Sequence, residues 1–208
     1  MLLYTGNPDA SIQSTNESAA GFRVLGDAWG LGMALHDLGR VSLARKHNQP
    51  AYAQFQESVE MLRREGDTWM LCNALDGLGH ATLAQGDLEG ATVHFRDLFS
   101  LASAKGQTFF VILMIEGMAC IACARGAFAN GAELFGAADA FRELLGAPLA
   151  PFMRAVYEPF RAAAAAALGE GLLAGAETQG RALTPEQAIE RALKTETSSI
   201  AYSTEHNP

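Results

Sequence analysis

Cysteine is scarce in this sequence of 208 residues: there are three, at positions 72, 120 and 123. So sparse and odd a set excludes the disulfide framework of a small secreted domain and suits a reducing cytoplasm, the expected location. Charge is scarce too, at 18% of residues, and its balance of -8 lacks the positive footprint that direct nucleic-acid binding requires. Long apolar runs are missing, because polar residues or glycines interrupt every stretch short of the ~18 residues of a membrane span. Met1-Leu2-Leu3-Tyr4 is apolar but has no basic leader and runs into Gly6-Asn7-Pro8, so it does not read as a secretory signal. The phosphate loop Gly-x-x-x-x-Gly-Lys-Ser/Thr does not occur, nor does a DNA-reading segment. What is there is 49% hydrophobic, a composition that folds, on a length that buries one core.

Written in rows of forty, the chain repeats. Gly26-Asp27 returns as Gly66-Asp67 and Gly106-Gln107, and weakly as Gly146-Ala147. Trp29 aligns with Trp69 and Phe109, Leu38-Gly39 with Leu78-Gly79, Ala51 with Ala91 and Gly131, and Phe55 with Phe95 and Phe135. A period of this size marks a stack of repeated helical units. The middle row shows how one unit is built. Asp67 is suited to cap a helix carrying Leu71, Leu75, Leu78 and Leu83, which Gln85-Gly86-Asp87 interrupts. A second helix carries Leu88, Ala91, Phe95, Leu98 and Leu101 on one stripe and closes at Lys105-Gly106. Gly79, Ala84 and Ala91 permit close approach of the pair, and Phe95 is the knob that fills the space they leave.

These residues resemble the tetratricopeptide pattern: Leu75-x-x-Leu78-Gly79, then Gly86-Asp87-Leu88-x-x-Ala91-x-x-x-Phe95-x-x-Leu98, with Thr82 where an aromatic is usual. That family's common repeat is ~34 residues, so the longer unit here implies a longer first helix. The resemblance implies an all-α fold, a right-handed superhelical stack of antiparallel helix pairs. Repeats are expected at 26–65, 66–105 and 106–145. Residues 1–25 are expected to form a partial repeat, as in a domain excised from a longer protein or a truncated gene, and His47-Asn48-Gln49-Pro50 departs from the Gly-Asp turn.

Beyond residue 145 the period decays. Pro159 falls in the column of Gly39 and Gly79, so a bend is expected there, between a helix over 151–157 and an alanine-rich one over 159–168. A short helix over 170–179 follows. Thr184-Pro185-Glu186-Gln187 has the form of a capping box for a last helix to Lys194. Residues 146–193 read as a terminal cap, closing one helical domain over 1–193, and 194–208 as a flexible tail. Leu134-Phe135-Gly136-Ala137-Ala138, Leu145-Gly146-Ala147-Pro148, Leu168-Gly169-Glu170 and Gly180-Arg181-Ala182-Leu183-Thr184, with Glu186 and Ala188, also resemble the C-terminal part of bacterial ATPase-type (LuxR-like or STAND-like) transcriptional regulators. The likeness covers residues 60–193. It implies the helical-repeat region that senses a signal or contacts partners in proteins whose nucleotide-binding and DNA-binding modules lie elsewhere.

No spacing assembles a catalytic set, and no cofactor or metal is expected. Cys120-Ile121-Ala122-Cys123 reads as packing within a helix, with redox or metal chemistry as the other reading. Gly30-Leu31-Gly32 and Gly77-Leu78-Gly79 lie inside helices, where a nucleotide loop would need a preceding strand. Trp29 and Trp69 read as packing residues, with ligand stacking as the alternative. Carrying the tetratricopeptide groove positions over gives Met33, His36 and Arg40 in the first row, Asn73, Asp76 and His80 in the second, and Leu113, Glu116 and Cys120 in the third. Mixed charge with histidine suits a protein or peptide partner, a second copy of the chain included, or a small polar ligand; the other reading is a solvated face.

Overall fold

The computed structural model describes residues 8–194. Among the described residues there are nine helices and no strand: α1 (Pro8–Leu25), α2 (Ala28–Ala44), α3 (Asn48–Glu65), α4 (Thr68–Ala84), α5 (Leu88–Ala104), α6 (Thr108–Ala124), α7 (Phe128–Leu145), α8 (Pro151–Arg181) and α9 (Pro185–Lys194). The protein is therefore all-α. The start of the expected partial repeat, before Pro8, and the expected tail beyond Lys194 lie outside the described residues.

The repeat is visible in the backbone as a beat of twenty. Gly26, Gly66, Gly86, Gly106, Gly126 and Gly146 all have positive φ, and the one non-glycine to do so among the described residues is Lys46, at φ 60°, in the register of Gly86 and Gly126. Each ends a helix of 17 or 18 residues by turning the chain left-handed. Lysine crowds its own carbonyl in this conformation, so the turn at 46 is the strained one of the series. Asp27, Asp67 and Asp87 then start the following helices, accepting hydrogen bonds from the amides of Gly30 (2.8 Å), Met70 (3.0 Å) and Gly90 (2.8 Å).

The chain divides into two compact units between Phe110 and Val111, early in α6, where the sequence reads as one domain. In the first unit each helix packs on the next, from α1 through α5, and α2 also reaches α4. Aromatic knobs are what lock the pairs. Phe55 of α3 is fully buried, and a Cβ placed on Gly39 of α2 would come within 2.9 Å of its ring; one on Gly77 of α4 would collide with the same ring. Gly79, two residues on and so on the opposite side of α4, seats Phe95 of α5 at 2.7 Å by the same measure. Gly77-Leu78-Gly79 is thus a double seat for two phenylalanines. Ser58, buried on α3, donates to the Gly32 carbonyl of α2 at 2.7 Å, fixing that pair's register.

Gly77→Ala should therefore lower stability by about 1–3 kcal/mol, because the Phe55 ring is held on both sides and cannot yield. Gly21→Ala, at an exposed helical site with open space around it, should instead raise stability by up to ~1 kcal/mol. Urea midpoints of the two variants check both signs.

In the second unit α7 packs on α8 and α9. The chain is not interrupted at Pro159, where two separate helices are expected. Helix α8 runs through it, and the break falls ten residues later at Gly169, whose φ of 72° and ψ of 167° belong to a region open only to glycine. Pro159 and Ala155, whose carbonyl loses its helical partner, are both exposed, so water can take the place of the missing N–H. Beyond the break Gly180 meets the Glu133 backbone of α7, and Gly136 of α7 meets the Glu177 backbone, in contacts that a Cβ on either glycine would prevent. The capping box of α9 forms as expected: the Thr184 amide donates to Gln187 Oε1 at 2.9 Å, and the Gln187 amide to Thr184 Oγ1 at 3.3 Å.

Candidate functional site

The residues carried over to a groove fall into two groups. His36, Asp76, His80, Glu116 and Cys120 are buried, as is Leu113, while Met33, Arg40 and Asn73 keep part of their surface in water. Burial follows from the character of the helices that carry them: along α4 every residue from Leu71 to Leu83 except Asn73 is buried, and α6 is buried from Ile112 to Cys123. The polar positions are thereby drawn inside.

Two short polar clusters result in the first unit. On α2, His36 Nδ1 and Arg40 Nη1 approach Asp37 Oδ1 at 3.6 and 3.7 Å, and the His36 ring meets Phe55 edge-on at 5.8 Å. Burial pushes the His36 imidazole below its ordinary value, against the pull of Asp37. On α4, His80 Nε2 lies 3.6 Å from Asp76 Oδ1, longer than a hydrogen bond, with its ring edge-on to Phe95 at 5.1 Å. At 2% exposure, burial pushes His80 down to about 3, so it is neutral at physiological pH. Asn73 Nδ2 donates back to the Trp69 carbonyl at 2.9 Å.

Glu116 belongs to a different arrangement from the one expected. It is wholly buried, and Arg142 of α7 grips it with a two-pronged fork: Nε donates to Oε1 at 2.6 Å and Nη2 to Oε2 at 2.7 Å. Tyr157 of α8 donates its hydroxyl to Oε2 at 3.1 Å, and Arg142 Nη1 donates to the Ala147 carbonyl at 3.2 Å. One carboxylate thus ties together α6, α7, α8 and the loop after α7. Burial pushes the Glu116 carboxyl up from its ordinary value, and the fork and the tyrosine draw it part of the way back. Sequence reasoning missed Arg142 and Tyr157. The available signal was that Glu116 is the one charged residue of α6, and an ionised group in so apolar a helix requires a partner.

Two clefts open in the second unit. One, of about 390 Å³, is lined by Asp139, Arg142, Glu143, Pro148 and Arg181 among others; the other, of about 430 Å³, lies between the start of α7 and α9. No protein-family model, curated protein or solved structure matches this chain.

Cys72, Cys120 and Cys123 are buried thiols that form no disulfide. Burial pushes the thiols of Cys72 up to about 12 and of Cys123 up to about 11, so neither supplies a thiolate near neutrality. Among the described residues no group of three or more His, Cys, Asp or Glu side chains could hold a metal ion, and no helix is long and apolar enough to cross a membrane. The tryptophans depart from the packing reading, since Trp29 is 45% exposed and Trp69 53%. What packing they do is one-sided. Trp29 Nε1 donates to Asp67 Oδ2 at 2.8 Å, linking α2 to the cap of α4, and Trp69 lies against Phe109 and Phe110.

Proposed function

We infer that this chain is a non-catalytic protein-interaction and signal-sensing module, the helical-repeat part of a bacterial transcriptional regulator. In this reading the helix pairs stack as a right-handed tetratricopeptide-like superhelix, and the cytoplasm is its compartment. The observation that carries it is the beat of left-handed residues every twenty positions from Gly26 to Gly146. Identical spacing produces near-identical helical pairs, and stacked pairs offer extended surface for a partner. Arg40 and Asn73, the partly exposed polar members of the carried-over set, are its contacts from the first and second rows, and Met33 adds apolar area.

The test is capture of a protein partner in a bacterial two-hybrid screen, followed by calorimetry on the purified chain. The expected result is saturable binding that Arg40→Ala with Asn73→Ala weakens about tenfold, while the helical circular dichroism is unchanged. Unaltered affinity overturns the role of these first helices. The second reading is a small-molecule receptor, favoured by the two clefts, whose volumes of about 390 and 430 Å³ suit a small ligand. A metabolite that raises the melting temperature without any protein partner would select it.

A further inference from the structure

The protein has two tryptophans, and each keeps about half of its surface in water. Packing alone would not arrange them so, because a leucine could fill the inner contact without exposing an indole. Part of each side chain is engaged by the fold and the rest stays in water. Trp69 lies nearly parallel to Phe109, with ring centres 6.2 Å apart and planes 13° apart, and meets Phe110 edge-on at 4.7 Å. Trp29 is oriented by its 2.8 Å hydrogen bond to Asp67. Asp67 is therefore bonded to one exposed indole and stands two residues from the other. Its carboxyl is held below the ordinary value by the Met70 amide and the Trp29 N–H, so it is an anion at neutral pH. Besides these two donors the Trp69 amide also favours the anion, and the roughly four lone-pair sites of a carboxylate leave room for a further donor.

Half-exposed indoles beside a carboxylate suit a cation. Among biological cations the guanidinium group fits best, since its plane stacks on an indole, its N–H groups reach a carboxylate in parallel, and its hydration is weak. The net charge of -8 adds long-range attraction for a basic partner. We propose that Trp29, Asp67 and Trp69 form a docking site for an arginine side chain on a basic segment of a partner protein. This rests on the interaction-module reading and narrows it to one place and one chemistry.

The chain's own fluorescence tests it, because these two indoles are its complete tryptophan complement. The purified full chain is titrated with a short peptide alternating glycine and arginine, and with the same peptide carrying citrulline, which keeps the planar shape without the charge. The expected result is a saturable change in tryptophan emission with arginine and none with citrulline. Asp67→Asn removes the charge and the acceptor for the Trp29 N–H but keeps one oxygen for the helix cap, so it should fold normally and bind the arginine peptide about tenfold more weakly. Trp69→Leu should weaken binding in calorimetry as well. No saturable change, equal binding of the citrulline peptide, or full affinity in Asp67→Asn would each overturn the site. If a captured partner still binds the chain carrying Asp67→Asn at full strength, this site falls and the interaction module stands; if the intact chain captures no partner, it is the broader reading that falls.

Discussion

Phe95→Ala is expected to cost about 3–5 kcal/mol, the range for emptying a fully enclosed aromatic site. The ring is completely buried, faces the bare backbone of Gly79 and receives the edge of His80 at 5.1 Å. Because glycine offers no side chain that could swing into the void, the site cannot collapse, and the cost should lie toward the upper end. His80 would lose its aromatic neighbour while remaining neutral and enclosed. The measurement is the urea midpoint of the purified variant at constant slope. A loss under ~1 kcal/mol would mean that the pairing of α4 with α5 does not depend on this knob.

The second large effect should come from Arg142→Met. Removing one member of a buried ion pair leaves the other uncompensated and costs about 3–5 kcal/mol, and here Glu116 is the residue left behind. The pH dependence identifies the cause. Without the fork, the Glu116 carboxyl should rise further above its ordinary value, since burial already pushes it up and the strongest opposing influence is gone. A carboxyl whose folded value is raised favours the folded state while protonated, so stability is retained at acid pH and lost as pH climbs through the raised value. The deficit of the variant should thus be largest at pH 7–8 and shrink toward pH 4.5. Denaturant curves across that range check it. A deficit independent of pH would assign the loss to packing, and Arg142→Met with Glu116→Gln should then recover little.

Much of this architecture can be read before any coordinates are seen. The Gly-Asp turns at 26 and 66 name both a left-handed closure and the cap that follows it, and these are requirements of the local backbone alone. Phe55, Phe95 and Phe135 are likewise legible, because a large ring recurring opposite small residues at one spacing has few uses other than filling a helix interface; all three are buried. Lys46 was not legible, since lysine carries no signal for positive φ and only the backbone spacing reveals its role. The Pro159 expectation failed for a related reason: proline removes a hydrogen bond, but whether the helix breaks depends on whether water can reach the freed carbonyl, and burial is set by tertiary packing. The site fared similarly. His36, Asp76, His80, Glu116 and Cys120 are on the intended helices, yet how deeply those helices are enclosed depends on neighbours that no local pattern describes. For Glu116 the decisive partner is 26 residues away on another helix.

The twenty-residue beat also constrains how such a chain can change length. Deleting one residue within a helix rotates everything after it by about 100° relative to what precedes it, which would swing knobs such as Phe55 away from their glycine seats. Removing or duplicating a whole forty-residue row keeps each remaining helix in phase with the glycine and knob pattern of its own row. Viable insertions and deletions between Gly26 and Gly146 should therefore come in whole hairpins or fall at the left-handed turns, where an added loop shifts no helical phase.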